Sequence, residues 1–145
     1  MSETVASVLK GKGSAIWSVS PDATVYEAIY MMAHKGVGAL LVMAGERLEG
    51  IISERDYARK VILEGRSSKD TRVREIMTSS LVTVSSAHTV DECMQIMTDS
   101  RVRHLPVVDR DVVTGVVSIG DMVRATIAAQ AATIDHLHSY ICASS

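Results

Sequence analysis

Phenylalanine is absent from this sequence, and one tryptophan and four tyrosines are all the aromatic rings among its 145 residues. So sparse a set leaves few platforms on which exposed nucleobases could stack, which argues against a single-strand nucleic-acid binder. Charge of either sign is nearly balanced, 15 Lys and Arg against 17 Asp and Glu for a formal net of −2, so no overall basic field draws in polynucleotide or anionic membrane. Any charge-based site must be local. Only two cysteines occur, Cys93 and Cys142, without CxxC or Cys/His spacing, which excludes a disulfide framework and a structural zinc site. No apolar run approaches the roughly 20 residues of a membrane span; the longest lies around Val37 to Ala44. The opening MSETVASVLKGKG lacks the apolar core of a signal peptide, which makes a cytoplasmic location the expectation.

What the chain has is hydrophobic bulk without rings, 47% of its residues, including eight methionines. That material builds cores of Val, Ile, Leu, Ala and adaptable Met. It is also arranged twice. Displacing the sequence by 115 − 50 = 65 positions sets GIISERD at 50–56 on GVVSIGD at 115–121 and aligns Val19 with Val84, Thr24 with Thr89, Glu27 with Glu92 and Met32 with Met97. The register continues ungapped through Leu40/Leu105, Val42/Val107, Gly50/Gly115, Ser53/Ser118, Asp56/Asp121 and Arg59/Arg124. A repeat in one register marks a supersecondary unit that pairs with its copy to bury an apolar face.

Each copy opens with a strand, at Ile16 to Val19 and Leu81 to Val84. The boxes Thr24-x-x-Glu27 and Thr89-x-x-Glu92 then start amphipathic helices, with Val25, Ala28, Ile29, Met32 and Val90, Cys93, Met94, Met97 at helical spacing. Cys93 aligns with Ala28 and reads as core. A hairpin follows in each, ALLVM to LEGIIS and LPVV to VVTGVVS, in which Pro106 belongs at a strand start or an edge. Second helices begin at SERDYARKVILEG and SIGDMVRATIAAQ. Each copy is therefore β-α-β-β-α, an α/β (α+β) order with helices on one face of a small sheet. The organisation is an N-terminal segment 1–13, repeats 14–63 and 81–128, a linker 64–80 with solvated Arg66, Lys69, Arg72 and Arg74, and a helical tail 129–145. In the tail, Ile127, Ile134, Leu137 and Ile141 keep helical spacing.

At the end of each hairpin a Ser and, three residues on, an Asp meet a helix start, where backbone N–H groups and the positive end of the dipole favour anions. Ser-x-x-Asp is also a capping box. An Asp at such an edge can alternatively accept two hydrogen bonds from a ribose diol. The stretch Gly11-Lys12-Gly13-Ser14 lacks P-loop glycine spacing and precedes a strand, and His136-x-His138 is not the i, i+4 spacing of a helical metal pair. No metal site is read from the sequence.

The duplicated order, the Val-x-x-Leu-Pro-Val-Val-Asp run at 102–109, the Gly-h-h-Ser-x-x-Asp endings (h apolar) and VREIMT at 73–78 together resemble a tandem pair of cystathionine-β-synthase (CBS) domains of the stand-alone bacterial kind. The resemblance implies two repeats packed about a pseudo-twofold axis, a Bateman module, that commonly forms homodimers. It implies clefts for adenosyl ligands: AMP, ADP, ATP, NAD or S-adenosylmethionine. Asp56 and Asp121 would hold ribose hydroxyls, Ser53 and Ser118 would lie near ribose and phosphate, and Ile51 and Val116 would line the base. Arg103 and His104, with Arg55, would make the Asp56 cleft cationic. Gly38, Ala39 and Trp17 would border the Asp121 cleft, which would carry less positive charge and take fewer phosphates. No nucleophile with a base, metal set or cofactor lysine stands out, so the module is expected to sense nucleotide and signal to a regulated protein. The rival readings are a constitutive dimeric scaffold with structural caps and, more remotely, an accessory of an oxidoreductase.

Overall fold

Threonine starts three of the helices. In the computed structural model, which describes residues 3–13 and 15–144 with side chains through residue 139, Thr4 caps α1 (Val5–Lys12), Thr24 caps α2 (Val25–Lys35) and Thr89 caps α5 (Val90–Ser100). Each hydroxyl accepts a backbone N–H three residues on, satisfying a donor that the helix itself leaves unpaired. Glu92 completes its box by accepting from the Thr89 N–H at 2.9 Å. Ser14 and the side chains of Ile141 and Cys142 fall outside the described residues.

The chain divides into two units: one spans Ala15–Val82, and the other joins the N-terminal segment to the chain from Thr83 onward. In the first, β1 (Ser18–Val19) pairs parallel with β2 (Ala39–Ala44), which pairs antiparallel with β3 (Arg47–Ser53). After β3 come α3 (Glu54–Tyr57), a π-helical turn (Ala58–Ile62) and α4 (Val73–Ile76). Val25, Ala28 and Met32 of α2 pack with Leu40, Val42 and Ile52 of the hairpin and with Val73 and Ile76 of α4. The stretch 64–80 is therefore more than a polar spacer, and its cations are engaged instead of merely solvated. Arg66 pairs with Glu75 at 2.5 Å, Arg74 with Asp22, Arg72 donates to the Asp22 carbonyl at 2.8 Å, and Lys69 lies 4.9 Å from the Tyr26 ring centroid.

In the second unit β4 (His104–Asp109) and β5 (Val112–Ser118) form the hairpin, in the same bulged register as β2 and β3. Here the opening strand has shrunk to a single parallel bridge, Val84 with Val107. Pro106 supplies the reason. Its counterpart Leu41 donates an N–H to the Trp17 carbonyl at 3.2 Å, and proline has no N–H to give. The N-terminal segment belongs to this unit: Val5 N–H donates to the His88 carbonyl, and Val5, Val8 and Leu9 are buried. Cys93 is fully buried as core, and burial pushes its thiol up to about 11. The last helix, α6 (Ile119–Ser144), runs on through the tail as one element, with Ile127, Ile134 and Leu137 exposed.

Candidate functional site

Each hairpin ends where an extended Ser hands over to a helix, and this sets the site geometry. In the first unit the Asp56 N–H donates to Ser53 Oγ at 3.1 Å, while Asp56 Oδ2 accepts from the Ser53 N–H and from Ser53 Oγ, both at 3.0 Å. The Glu54 N–H donates to the Gly38 carbonyl at 3.0 Å. Two of the N–H groups at this helix start are thus already bonded, so the picture of outward-facing donors awaiting an anion is corrected for them. Asp56 Oδ1 lies 3.3 Å from the Lys60 ammonium, and the carboxylate is about one-seventh exposed. Lys60 also donates to the Ile76 carbonyl at 2.9 Å. Ile51 is half-buried and bonds Thr78 through both its N–H and its carbonyl; Arg55 is exposed.

The second unit repeats the box: the Asp121 N–H donates to Ser118 Oγ at 3.2 Å and Asp121 Oδ2 accepts from the Ser118 N–H at 2.8 Å. The Ile119 N–H donates to the Arg103 carbonyl at 2.8 Å, matching the Glu54 bond. Asp121, however, is almost fully buried and bound on both oxygens. Lys12 Nζ reaches Oδ2 at 2.6 Å and Arg124 reaches Oδ1 at 2.7 Å. Burial pushes this carboxyl up, but the Lys12 ammonium, the Ser118 N–H and the Arg124 guanidinium outweigh it and hold the group below the usual Asp range. Lys12 also donates to the Val116 carbonyl at 3.0 Å. The expectation that the Asp121 end is poor in positive charge is therefore corrected at the carboxylate itself, which carries two cations. Neither was assigned to the site from the sequence. Arg124 was visible as the partner of Arg59, whereas Lys12 lies 109 positions from Asp121 and left no local signal.

The remaining candidates fall as follows. His104 pairs across the hairpin with Ser118. It is half-buried, and burial, reinforced by the Lys12 ammonium, holds its imidazole below the ordinary His value against the pull of Asp121. Arg103 is exposed. Ala39 pairs with Ser53, the position equivalent to His104. Trp17 is partly exposed, with Lys35 Nζ 4.3 Å from its ring centroid. Among the described residues no cluster of His, Cys, Asp and Glu is placed to hold a metal, and no helix is long and apolar enough to cross a membrane. Chemically, the two ends offer carboxylate acceptors for hydroxyls beside cations.

A family model described as CBS domain matches residues 14–63 and again 73–128. The chain is 45% identical over 150 residues to the CBS domain-containing protein CBSX3, mitochondrial, of Arabidopsis thaliana, covering 97% of this chain and 72% of that protein. A solved structure described as a signal-transduction protein with CBS domains, from Burkholderia ambifaria MC40-6, superposes with a TM-score of 0.84 at 52% identity over 86% of this chain and 94% of that one. The CBS domain pair of protein MJ0100, solved in complex with 5-methylthioadenosine and S-adenosyl-L-methionine, shares the fold with a TM-score of 0.76 at 23% identity, over 86% and 95% of the two chains. These relatives match mixed α/β repeats with small sheets.

Proposed function

Because this chain belongs to the CBS domain family and carries the domain twice, we propose that it is a regulatory module, not an enzyme, that binds adenosyl ligands of the AMP, ADP, ATP or NAD type and passes their occupancy to a partner protein. Asp56 and Asp121 are the proposed ribose acceptors, Ser53 and Ser118 neighbours of ribose and phosphate, and Ile51 and Val116 walls for the base. Arg55, Arg103 and His104 are proposed on the phosphate side, and Trp17, Gly38 and Ala39 on the base side. S-Adenosylmethionine stands behind the nucleotides, and a cytoplasmic homodimer completes the reading. The observation that carries it is the disposition of Asp56. Its cap consumes Oδ2 and leaves Oδ1 facing a lysine 3.3 Å away, and a carboxylate oxygen has lone pairs enough for a hydroxyl. The adenosyl compounds held by the MJ0100 pair support the ligand class.

A thermal-shift panel of AMP, ADP, ATP, NAD, NADH and S-adenosylmethionine tests this. A ligand at about 100 times its Kd adds about 2.7 kcal/mol, and each kcal/mol moves Tm by about 2–4 °C in a chain of this size. At least one nucleotide should raise Tm by several degrees, Asp56→Ala should remove the response of the first site, and Asp121→Ala that of the second. A panel with no response refutes the proposal. It would favour a constitutive scaffold, a reading with one observation of its own: both Ser-x-x-Asp elements form complete capping boxes. Under that reading Asp56→Ala lowers Tm and leaves every nucleotide response unchanged.

A further inference from the structure

The two proposed ribose acceptors are not equally available, and the difference comes from a residue outside both repeats. A carboxylate offers about four lone-pair positions. At Asp121 three are taken: Oδ2 by Lys12 at 2.6 Å and the Ser118 N–H at 2.8 Å, Oδ1 by Arg124 at 2.7 Å. One position is too few for a diol. At Asp56 both described hydrogen bonds fall on Oδ2, and Oδ1 has the looser Lys60 contact, at 3.3 Å, from the π-helical turn that follows α3. Lys12 covers more than the acid. By donating to the Val116 carbonyl it also lies across the residue that would wall the base.

We propose that Lys12 is an internal occupant of the second ribose acceptor, so that an adenosyl ligand enters at Asp121 only when the end of α1 lets go. The inference rests on the ribose reading of the Ser-x-x-Asp ends. The local chain is built to release. Lys12 is the last residue of α1 and lies between Gly11 and Gly13; Gly13 has φ +93, and a Cβ at either glycine would meet nothing within 4 Å. The end of the helix is held by the Gly13 N–H bond to the Leu9 carbonyl at 2.8 Å and by no buried side chain after Leu9, while Val5, Val8 and Leu9 anchor the rest. Lys12 is itself more than one-third exposed, so its ammonium is rehydrated easily on leaving. A groove of about 310 Å³ already runs beside the pair, lined by Ser7, Val8, Gly11, Lys12, Asp121 and Arg124. A ligand must displace an ammonium tethered at an effective concentration in the millimolar range, which makes the second repeat respond later than the first.

The test is isothermal titration calorimetry of the full chain with AMP and, separately, ATP, comparing the parent with Lys12→Met, which keeps the apolar stem and removes the charge. The parent should take up a single tight equivalent. Lys12→Met should gain a second, or tighten the second by about tenfold or more, as expected when the binding-competent fraction rises. Asp121→Asn in the same background should remove the gain. Lys12→Gln, which serves if Lys12→Met fails to fold, should behave like Lys12→Met, and Lys12→Arg, which keeps a cation, should bind like the parent. Identical isotherms with clear binding overturn the occupant and leave the ribose reading standing. Weaker binding by Lys12→Met also overturns it, by making Lys12 a ligand to phosphate. No binding of AMP, ATP or any other compound of the thermal-shift panel to any of the proteins overturns the ribose reading itself and Lys12's role with it.

Discussion

The first hairpin is finished by backbone and the second by a side chain. In the first unit Met77 covers Gly50, and the chain then extends so that Thr78 and Ile51 exchange N–H to carbonyl bonds at 3.0 and 2.9 Å. In the second unit Leu9 covers Gly115 in the same way, but α1 stays helical through Lys12, and an ammonium instead of an N–H reaches the Val116 carbonyl. The apolar contact has been kept while the polar one has changed kind. A two-bond bridge between main chains opens only if the backbone moves, whereas a lysine leaves by rotating about its own stem. Two copies of one hairpin thus acquire one fixed end and one releasable end.

The glycines test that contrast most strongly. A Cβ at residue 50 would lie 2.8 Å from the Thr78 carbonyl oxygen and 2.9 Å from Met77 Sδ; at residue 115 it would lie 2.9 Å from the two methyl carbons of Leu9. Backbone in a bridge cannot yield, but a leucine can turn. Gly50→Ala should cost about 1–3 kcal/mol, and Gly115→Ala should fall at or below the lower end of that range. Urea unfolding of both variants measures the gap, and equal losses would show that the two ends are equally rigid.

A smaller effect separates the carboxylates. Asp121 is held below the usual Asp range, against its burial, by Lys12, Ser118 and Arg124. The unfolded chain therefore binds its proton more readily than the native one. Its contribution is present above about pH 4 and is lost as pH falls through the native value. Asp121→Asn should cost about 1–2 kcal/mol at pH 7, a modest figure because Lys12 and Arg124 stay in contact with solvent. The deficit should shrink in urea melts at pH 3. A deficit of the same size at both pH values would mean that the charge of Asp121 contributes nothing and that its shape as a cap does all.

The repeat, the Thr24 and Thr89 caps, the core face with Cys93 and the two hairpins were legible because they depend on local spacing: one hydroxyl three residues from one N–H, one apolar position per helical turn. Even the Ser-x-x-Asp ends were readable as boxes. What the spacing does not encode is where a distant segment lies. The stretch 64–80 looked like a spacer because its two buried apolar residues, Val73 and Ile76, sit among seven charges, and Arg72 and Arg74 looked solvated because their acceptors, the Asp22 carbonyl and carboxylate, lie about 50 positions away. Lys12 is the extreme case, since a tether of 109 positions leaves no periodicity to detect. Pro106 lies between these extremes. Its missing donor was readable at once, but its consequence, the loss of β1's equivalent, appeared only against Leu41 in the other copy.

The finest test uses the one titratable group that only the second hairpin has on this rung, His104, which stands where the first has Ala39. Burial holds its imidazole low, Lys12 and Arg103 add to that, and Asp121 opposes it. A native pKa below the unfolded value of about 6.5 means that the unfolded chain binds the proton first, so His104 costs stability as pH falls through that value. Lys12→Met removes a repelling charge and leaves Asp121 pulling, and both changes act in the same direction. The His104 pKa should rise toward the ordinary value, and the acid-side loss should begin later and be smaller. An NMR titration of the imidazole in both proteins reads the shift. An unchanged value would place the Lys12 ammonium away from Asp121 in solution, and the two hairpin ends would then differ in sequence without differing in what binds them.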